Sequence, residues 1–342
     1  MNKFRKLISS HLFLPLFALG LLLIFNAFAT PGFFHIQFQN GQLFGRIIDI
    51  LNRASVLVIL SLGMTFVIAT GGIDISQGSV IAISGAVCCS LIGGAGDGTA
   101  RMPLVLACLI AVTVCMLCGV WNGFLVSTLK IQPMVATLIL MTAGRGIAML
   151  ITAGQNVPVY YTPFTYIGNT IPGSPLPTTI YLAIGMVLLV VLVQKKTSVG
   201  LFIQTVGINS KAAHGSGLNV NSIVFLVYIF SGICAGIAGL MDASMIAAAD
   251  PNNAGLNMEL DAILAVALGG TLLSGGKYYI SGSIIGAITI QTLTTTLYAL
   301  GVSSEQLPVC KALVVILICL LQSDKVKRLL EQRSYRKAVD QA

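Results

Sequence analysis

Long apolar stretches recur from one end of this chain to the other, and few charged residues interrupt them. A helix of about 20 such residues is long enough to cross the hydrocarbon core of a bilayer. Only 9% of the residues are charged, whereas a soluble domain carries roughly 25% because water must wet its surface. We therefore expect an all-α polytopic membrane protein.

About ten spans are predicted within a single membrane domain, residues 1–342, because no polar domain or linker separates the apolar stretches. The predicted spans are 11–29, 54–70, 76–96, 102–128, 133–153, 178–194, 221–244, 259–275, 281–301 and 308–322. Residues 43–53 are expected to form a short interfacial helix before the second span. The first stretch could instead be a cleaved signal ending at Ala27-Phe28-Ala29, but its length favours an uncleaved helix.

An even number of spans agrees with the positive-inside rule. With the N-terminus in the cytoplasm, the C-terminus and the loop 195–220 are also cytoplasmic, and only Arg46, Arg53 and Arg101 lie outside. The cations placed inside are Lys3, Arg5, Lys6, Lys130, Lys195, Lys196, Lys211, Lys277, Lys325, Lys327, Arg328, Arg333, Arg336 and Lys337.

Several classes of function are disfavoured by the distribution of charge and of metal-binding residues. The net charge of +8 does not indicate nucleic-acid binding, because no basic stripe is interleaved with aromatic side chains. His11, His35 and His214 are too scattered to predict a metal centre or a catalytic triad. Cys115 and Cys118 lie within a span and favour apolar packing. No G-x-x-x-x-G-K-[ST] motif occurs, so any ATP hydrolysis is expected on a partner.

Residues 205–218 have the pattern of a short helix presented by a loop. Asn209 can cap this helix, and Gly215 or Gly217 can end it. Such a helix suits the docking of a partner protein, although spacing alone favours an ordinary loop. The candidate coupling residues are Gly207, Asn209, Ala212, Ala213, Ser216 and Gly217.

Two glycine pairs are predicted to break helices at membrane depth, where irregular backbone survives only if it is buried or lines a cavity. They are Gly71–Gly72 and Gly269–Gly270, and the sequences around them form a weak internal repeat. Polar residues within spans are costly and are therefore candidates for the translocation path. These candidates are Asp74, Asn122, Arg145 and Glu259.

Each path candidate also has a structural interpretation. Asp74 can cap the following helix, and Asn122 can bond a neighbouring helix. Arg145 can pair with Asp74 or with helix carbonyls. Glu259 can stabilise the start of a helix. Lys311, near the end of a span, is expected to extend outward to the membrane surface.

The pattern Gly207-x-Asn209-x-x-Ala212-Ala213-x-x-Ser216-Gly217 resembles the coupling-helix motif of ribose-type ABC importer permeases, although Lys211 replaces the acidic residue common in that family. Other segments that resemble the family are Thr70 to Ser76, Trp121 to Gly123 with Lys130 and Pro133, Thr137 to Gly146, Glu259 to Ile263, Gly269 to Thr271, and Gly275 with Gly276. The resemblance implies a vitamin B12-importer-like permease fold with some broken or re-entrant helices.

The same resemblance implies partners and a location. The expected partners are a cytoplasmic ABC ATPase that binds ATP and Mg, a periplasmic sugar-binding protein, and a second, paralogous permease. This chain is expected to bind no cofactor itself and to lie in the lipid of the bacterial inner membrane.

The resemblance also narrows the identity of the sugar, and two rival classes of function remain to be compared with it. Residues 43–54 and 63–72 look most like the permeases of bacterial galactofuranose importers, which implies that sugar, with ribose or another simple sugar as the alternative. An ion-coupled transporter using Asp74, Asp242 and Glu259 is the rival class. A membrane-embedded enzyme is disfavoured because the charged residues are scattered.

Overall fold

The structure, a computed structural model, describes residues 12–30, 32–39, 41–93 and 98–322. The predicted basic termini, His11 and the end of the predicted span 76–96 fall outside these residues.

The elements are α1 Phe13–Ala29, β1 Gln37–Gln39, β2 Gln42–Phe44, α2 Arg46–Ala69, α3 Gln77–Ile92, α4 Leu104–Ser127, α5 Pro133–Ile151, β3 Val157–Pro158, α6 Thr162–Gly168, α7 Thr178–Lys196, α8 Val199–Ile208, α9 Ser210–Gly215, α10 Val220–Ile246, β4 Ala248–Ala249, α11 Met258–Leu268, α12 Ile280–Ala299 and α13 Leu307–Gln322.

Within the described residues, six helices are long and apolar enough to cross a membrane: α2, α4, α5, α7, α10 and α12. The 24 residues of α2 give a length of about 36 Å at 1.5 Å per residue. Parts of α1 and the whole of α3 and α8 are apolar but shorter. In the part of the chain that the structure describes, the strands form two small antiparallel pairs, β1 with β2 and β3 with β4.

Helix α10 lies at the centre of the bundle and packs against α2, α3 and α4. Its contact with α4 depends on glycine, because backbones can approach closely only where no side chain intervenes. A Cβ atom on Gly119 of α4 would lie 2.5 Å from the Tyr228 carbonyl oxygen. A Cβ atom on Gly232 of α10 would lie 2.5 Å from the Cys115 carbonyl oxygen. The glycines of these spans therefore serve packing, as their position within apolar stretches predicts.

Three predicted segments differ from the observed elements. The span predicted at 259–275 contains α11, whose 11 residues extend about 16 Å, well short of a bilayer core of about 30 Å. The apolar composition continues past Leu268, but the backbone turns at Gly270, where φ is +86°. In the segment 43–53, predicted as an interfacial helix, the first two residues belong to β2 and residues 46–53 begin the continuous helix α2. The loop predicted at 195–220 contains two helices, α8 and α9.

Candidate functional site

The helical structure is interrupted between α2 and α3, at the position where the sequence predicts a helix break. Gly71 has φ +82°, in the left-handed region that favours glycine. Gly72 donates its N–H to the Val67 carbonyl oxygen at 3.0 Å, which closes the end of α2. The side chain of Thr137 on α5 accepts the N–H of Ile75 at 3.2 Å and so holds the segment after the break. The break is therefore a fixed, hydrogen-bonded connection.

Asp74 lies in this break and is buried. Its carboxylate accepts hydrogen bonds from the Ser76 N–H at 3.1 Å, the Ser76 hydroxyl at 2.6 Å and the Ser231 hydroxyl at 2.6 Å. Asn122 Nδ2 donates to the Ser76 oxygen at 2.8 Å and lies 3.5 Å from Asp74 Oδ1. Gln77 Nε2 donates to the Ser231 oxygen at 2.9 Å. We call these five residues the Asp74 cluster.

The Asp74 cluster joins the start of α3 to α4 and α10. Asn122 bonds between α4 and the start of α3, as predicted. The predicted capping is not seen, because Asp74 accepts the N–H of Ser76, the residue before α3, and no side chain bonds a free N–H of the first turn of α3. The cluster also contains polar atoms that are buried without a hydrogen-bond partner, namely Asn122 Oδ1 and Gln77 Oε1, and Tyr228 Oη is a third nearby. Such atoms are uncommon in folded proteins and are available to a hydroxyl group or a water molecule.

Arg145 does not pair with Asp74. It donates from Nη1 to two backbone carbonyl oxygens, that of Ala254 at 2.7 Å and that of Pro251 at 3.2 Å. The predicted bonding to backbone carbonyls is therefore observed, but these carbonyls belong to the loop between β4 and α11 and not to a helix. In that loop, burial acts to raise the pKa of Asp250, but hydrogen bonds from the Asn253 side chain and from backbone N–H groups outweigh it and lower the pKa.

Glu259 occupies the first turn of α11, as predicted for a charge at a helix start, and Asp261 lies in the same turn. Glu259 is buried beside Gly78, whose missing side chain leaves room for the carboxylate, since a Cβ there would overlap Glu259 Oε2. Asp261 forms a salt bridge of 2.7 Å with Lys311. The prediction that Lys311 extends outward is wrong, because the residue is only 8% exposed and its charge is neutralised inside the bundle.

The second break, after α11, lies directly against the first. Gly276 donates its N–H to the Ala69 carbonyl oxygen at 2.9 Å. A Cβ on Gly275 would lie 3.0 Å from the Gly71 amide nitrogen. Gly269 packs in turn against Gly282 at the start of α12. A Cβ on Gly269 would overlap the Gly282 carbonyl carbon, and a Cβ on Gly282 would overlap the Gly269 carbonyl oxygen. The two glycine pairs noted in the sequence thus end helices that meet at one end of the bundle.

Helix α9 has the capping that the sequence predicts. Asn209 Oδ1 accepts the Ala212 N–H at 3.0 Å, and Gly217, beyond the helix, has φ +84°. Ala212 is exposed, whereas Ala213 is fully buried against the chain itself. The paired alanines therefore have different roles. Ala213 packs α9 against the rest of the chain, whereas Ala212 is accessible to a partner protein.

Gly207 connects this exposed helix to the two breaks. An added Cβ would overlap the Ala69 carbonyl oxygen and would lie 2.5 Å from the Gly276 amide nitrogen. We call Ala69, Gly207 and Gly276 the glycine junction. Sequence reasoning placed Gly207 only in the docking motif and missed this packing role, since nothing in its neighbours along the chain indicates it. A displacement of α8 and α9 would act directly on the end of α2.

Comparison with known proteins identifies related transport subunits. Residues 46–321 match the family described as branched-chain amino acid transport system permease component. The chain is 46% identical over 312 residues to the galactofuranose transporter permease protein YtfT of Escherichia coli (strain K12), covering 91% of this chain and 89% of the relative. No solved structure matches the chain.

Two further relatives are sugar permeases that also match over almost their whole length. The fructose import permease protein FruF of Bifidobacterium longum (strain NCC 2705) is 37% identical over 344 residues, covering 99% of this chain and 95% of the relative. The ribose import permease protein RbsC of Escherichia coli (strain K12) is 36% identical over 317 residues, covering 91% and 93%.

Proposed function

Because this chain belongs to the family of branched-chain amino acid transport system permease components, we propose that it translocates galactofuranose as one subunit of an ATP-driven importer. It is a multi-pass membrane protein of the sugar-importing ABC permeases, which are transport components rather than enzymes. Identity favours galactofuranose, since the relative named for that sugar is 46% identical and those named for fructose and ribose are 37% and 36% identical.

The family implies an ATPase and a substrate-binding protein as partners. We further propose a second, paralogous permease and a location in the bacterial inner membrane, with about ten spans and both termini in the cytoplasm. ATP and Mg²⁺ are bound by the ATPase and not by this chain. The sidedness is supported by the loop and terminal cations, which the positive-inside rule assigns to the cytoplasm.

The single observation that carries the mechanism is the glycine junction, in which Gly207 of α8, two residues before the cap of α9, packs against the helix breaks. The ATPase binds the exposed residues of α9, and ATP binding moves α9 together with α8. Because Gly207 lies against the Ala69 carbonyl, this motion displaces the end of α2. Asp74 follows five residues later, so the Asp74 cluster is the next part of the path to move. Alternating access requires that the states of the permease open to either side of the membrane bind the ATPase or the sugar with different free energies.

Replacing Ala212 with glutamate tests the docking role of α9. The side chain is exposed, so the substitution leaves the fold intact, but a partner surface would bury the new charge. An uncompensated buried charge costs about 3 kcal/mol, so we expect at least roughly tenfold weaker retention of the ATPase. The measurement is the amount of ATPase that co-purifies with the tagged complex.

Ala299→Glu is the matched control, since Ala299 is also exposed and ends α12, whose other end lies near the glycine junction. The two ends of α12 are about 29 Å apart. Equal ATPase retention by both variants would refute docking at α9. Loss of retention in both would show only a general effect of added charge, and it would likewise count against the assignment.

A further inference from the structure

An apolar cavity of about 300 Å³ lies between α7, α8 and α10. All of its lining side chains are aliphatic or aromatic; they include Phe66, Val190, Phe202, Ile203, Val227 and Phe230. The cavity reaches the outer surface of the bundle, because Leu189 and Leu226 at its rim are more than half exposed. Water does not fill a cavity without polar partners. Its occupant in a membrane is therefore apolar.

A pair of cations follows the α7 wall of this cavity along the chain. Lys195 and Lys196 end α7, two and three residues beyond the lining residue Val193, and both are exposed. Another lining residue, Val199, begins α8 directly afterwards, so the chain passes along the rim on both sides of the lysines. No acidic residue occurs from Lys195 to Val220 to neutralise them. The segment that joins the two cavity walls is thus positive, while the cavity lining is entirely apolar.

We propose that this cavity binds one acyl chain of an anionic phospholipid, whose phosphate lies at Lys195 and Lys196. A sugar does not suit the site, because its hydroxyl groups would find no hydrogen-bond partner in the cavity. An apolar helix of another subunit could fill the cavity but would leave both lysines without a counter-charge. Only a ligand that combines an anionic head with a hydrocarbon chain satisfies both parts. The inference rests on the membrane location and not on the identity of the transported sugar.

The test compares two tryptophan reporters on α7 in the full-length chain, with Trp121 replaced by phenylalanine. Leu189→Trp lines the cavity, whereas Leu188→Trp lies next to it on the helix but outside the cavity lining, and the native leucines are 51% and 56% exposed. The protein is reconstituted in phosphatidylcholine vesicles, with brominated phosphatidylglycerol or brominated phosphatidylcholine as quencher. A cation near the membrane surface favours an anionic lipid by about 1 kcal/mol, or about fivefold for each lysine.

We expect Leu189→Trp to be quenched preferentially by phosphatidylglycerol, by at least about fivefold in relative association constant, and Leu188→Trp to show no preference. Lys195→Gln with Lys196→Gln should remove the preference, whereas Arg101→Gln should retain it, because Arg101 is an exposed cation between α3 and α4 and neither of these helices lines the cavity. Equal quenching by both lipids at position 189 overturns the proposal. Absence of quenching at 189 also overturns it, because protein then fills the cavity. Leu226→Trp repeats the measurement from the α10 wall if the first reporter fails to fold.

Discussion

Gly207→Ala should abolish ATP-driven sugar uptake and lower the thermal stability of the permease. The added methyl group would overlap the Ala69 carbonyl oxygen, so α8 must move away from the end of α2 or the helices must separate. Overpacking of this kind costs about 1–3 kcal/mol. Loss of the contact also disconnects α9 from the helix breaks. We therefore expect the complex to retain its ATPase subunit and its basal ATP hydrolysis while uptake of sugar is lost.

Gly215→Ala provides the control for this prediction. Gly215 ends α9, eight residues from Gly207, and an added Cβ there meets no atom within 4 Å. Since alanine also favours a helix over glycine by up to about 1 kcal/mol, the control should be neutral or slightly stabilised. Uptake and melting temperature are measured for both variants in the assembled complex. If the two variants behave alike, the glycine junction has no part in coupling.

Asp74→Ala is expected to have the second large effect. It removes the acceptor of two hydroxyl groups and one backbone N–H, all buried, from Ser76 and Ser231. A buried donor left without an acceptor costs about 1–3 kcal/mol, so the combined loss is several kcal/mol. The start of α3 would loosen from α4 and α10, and uptake should fall severely. The ATPase should still co-purify, because α9 and its cap at Asn209 are unchanged.

Asp250→Ala is the matched control for Asp74. Asp250 accepts the same kind of turn hydrogen bonds, from the N–H groups of Asn252 and Asn253 at 3.0 Å, but it lies near the surface. Water can replace its bonds, so the free energy of unfolding should change by no more than about 0.5 kcal/mol. Asp74→Asn, which keeps one carbonyl oxygen as acceptor, should retain part of the uptake. A stability change for Asp74→Ala as small as that for Asp250→Ala would contradict the assigned role of the cluster.

Features encoded within a few residues could be predicted from the sequence. The Asn209 cap of α9 is one, because the side chain and the N–H it accepts are three positions apart. The break at Gly71 is another, because a left-handed backbone conformation favours glycine regardless of the tertiary fold. In both cases the responsible interaction is local, so the pattern of residue types is sufficient.

Features that depend on distant segments could not be predicted in the same way. Lys311 lies 50 residues from Asp261, and nothing near either residue indicates that they form an ion pair. The helix containing Asp261 ends at Leu268 although the apolar composition continues, because the glycines after it pack against α2 and α12. The packing of Gly207 against Ala69 joins segments far apart in the chain. Such contacts are fixed by the assembled bundle and leave no periodic signal.

ATP-dependent uptake by the reconstituted complex is the most direct test of the central claim. The complex of this permease with its ATPase and the proposed second permease is placed in vesicles whose ion gradients have been collapsed, and the loaded sugar-binding protein is added outside. We predict that galactofuranose enters when ATP is inside, and that Ala212→Glu, which impairs ATPase docking, prevents entry. Uptake by this chain without ATP or ATPase, driven by an imposed ion gradient, would contradict the account.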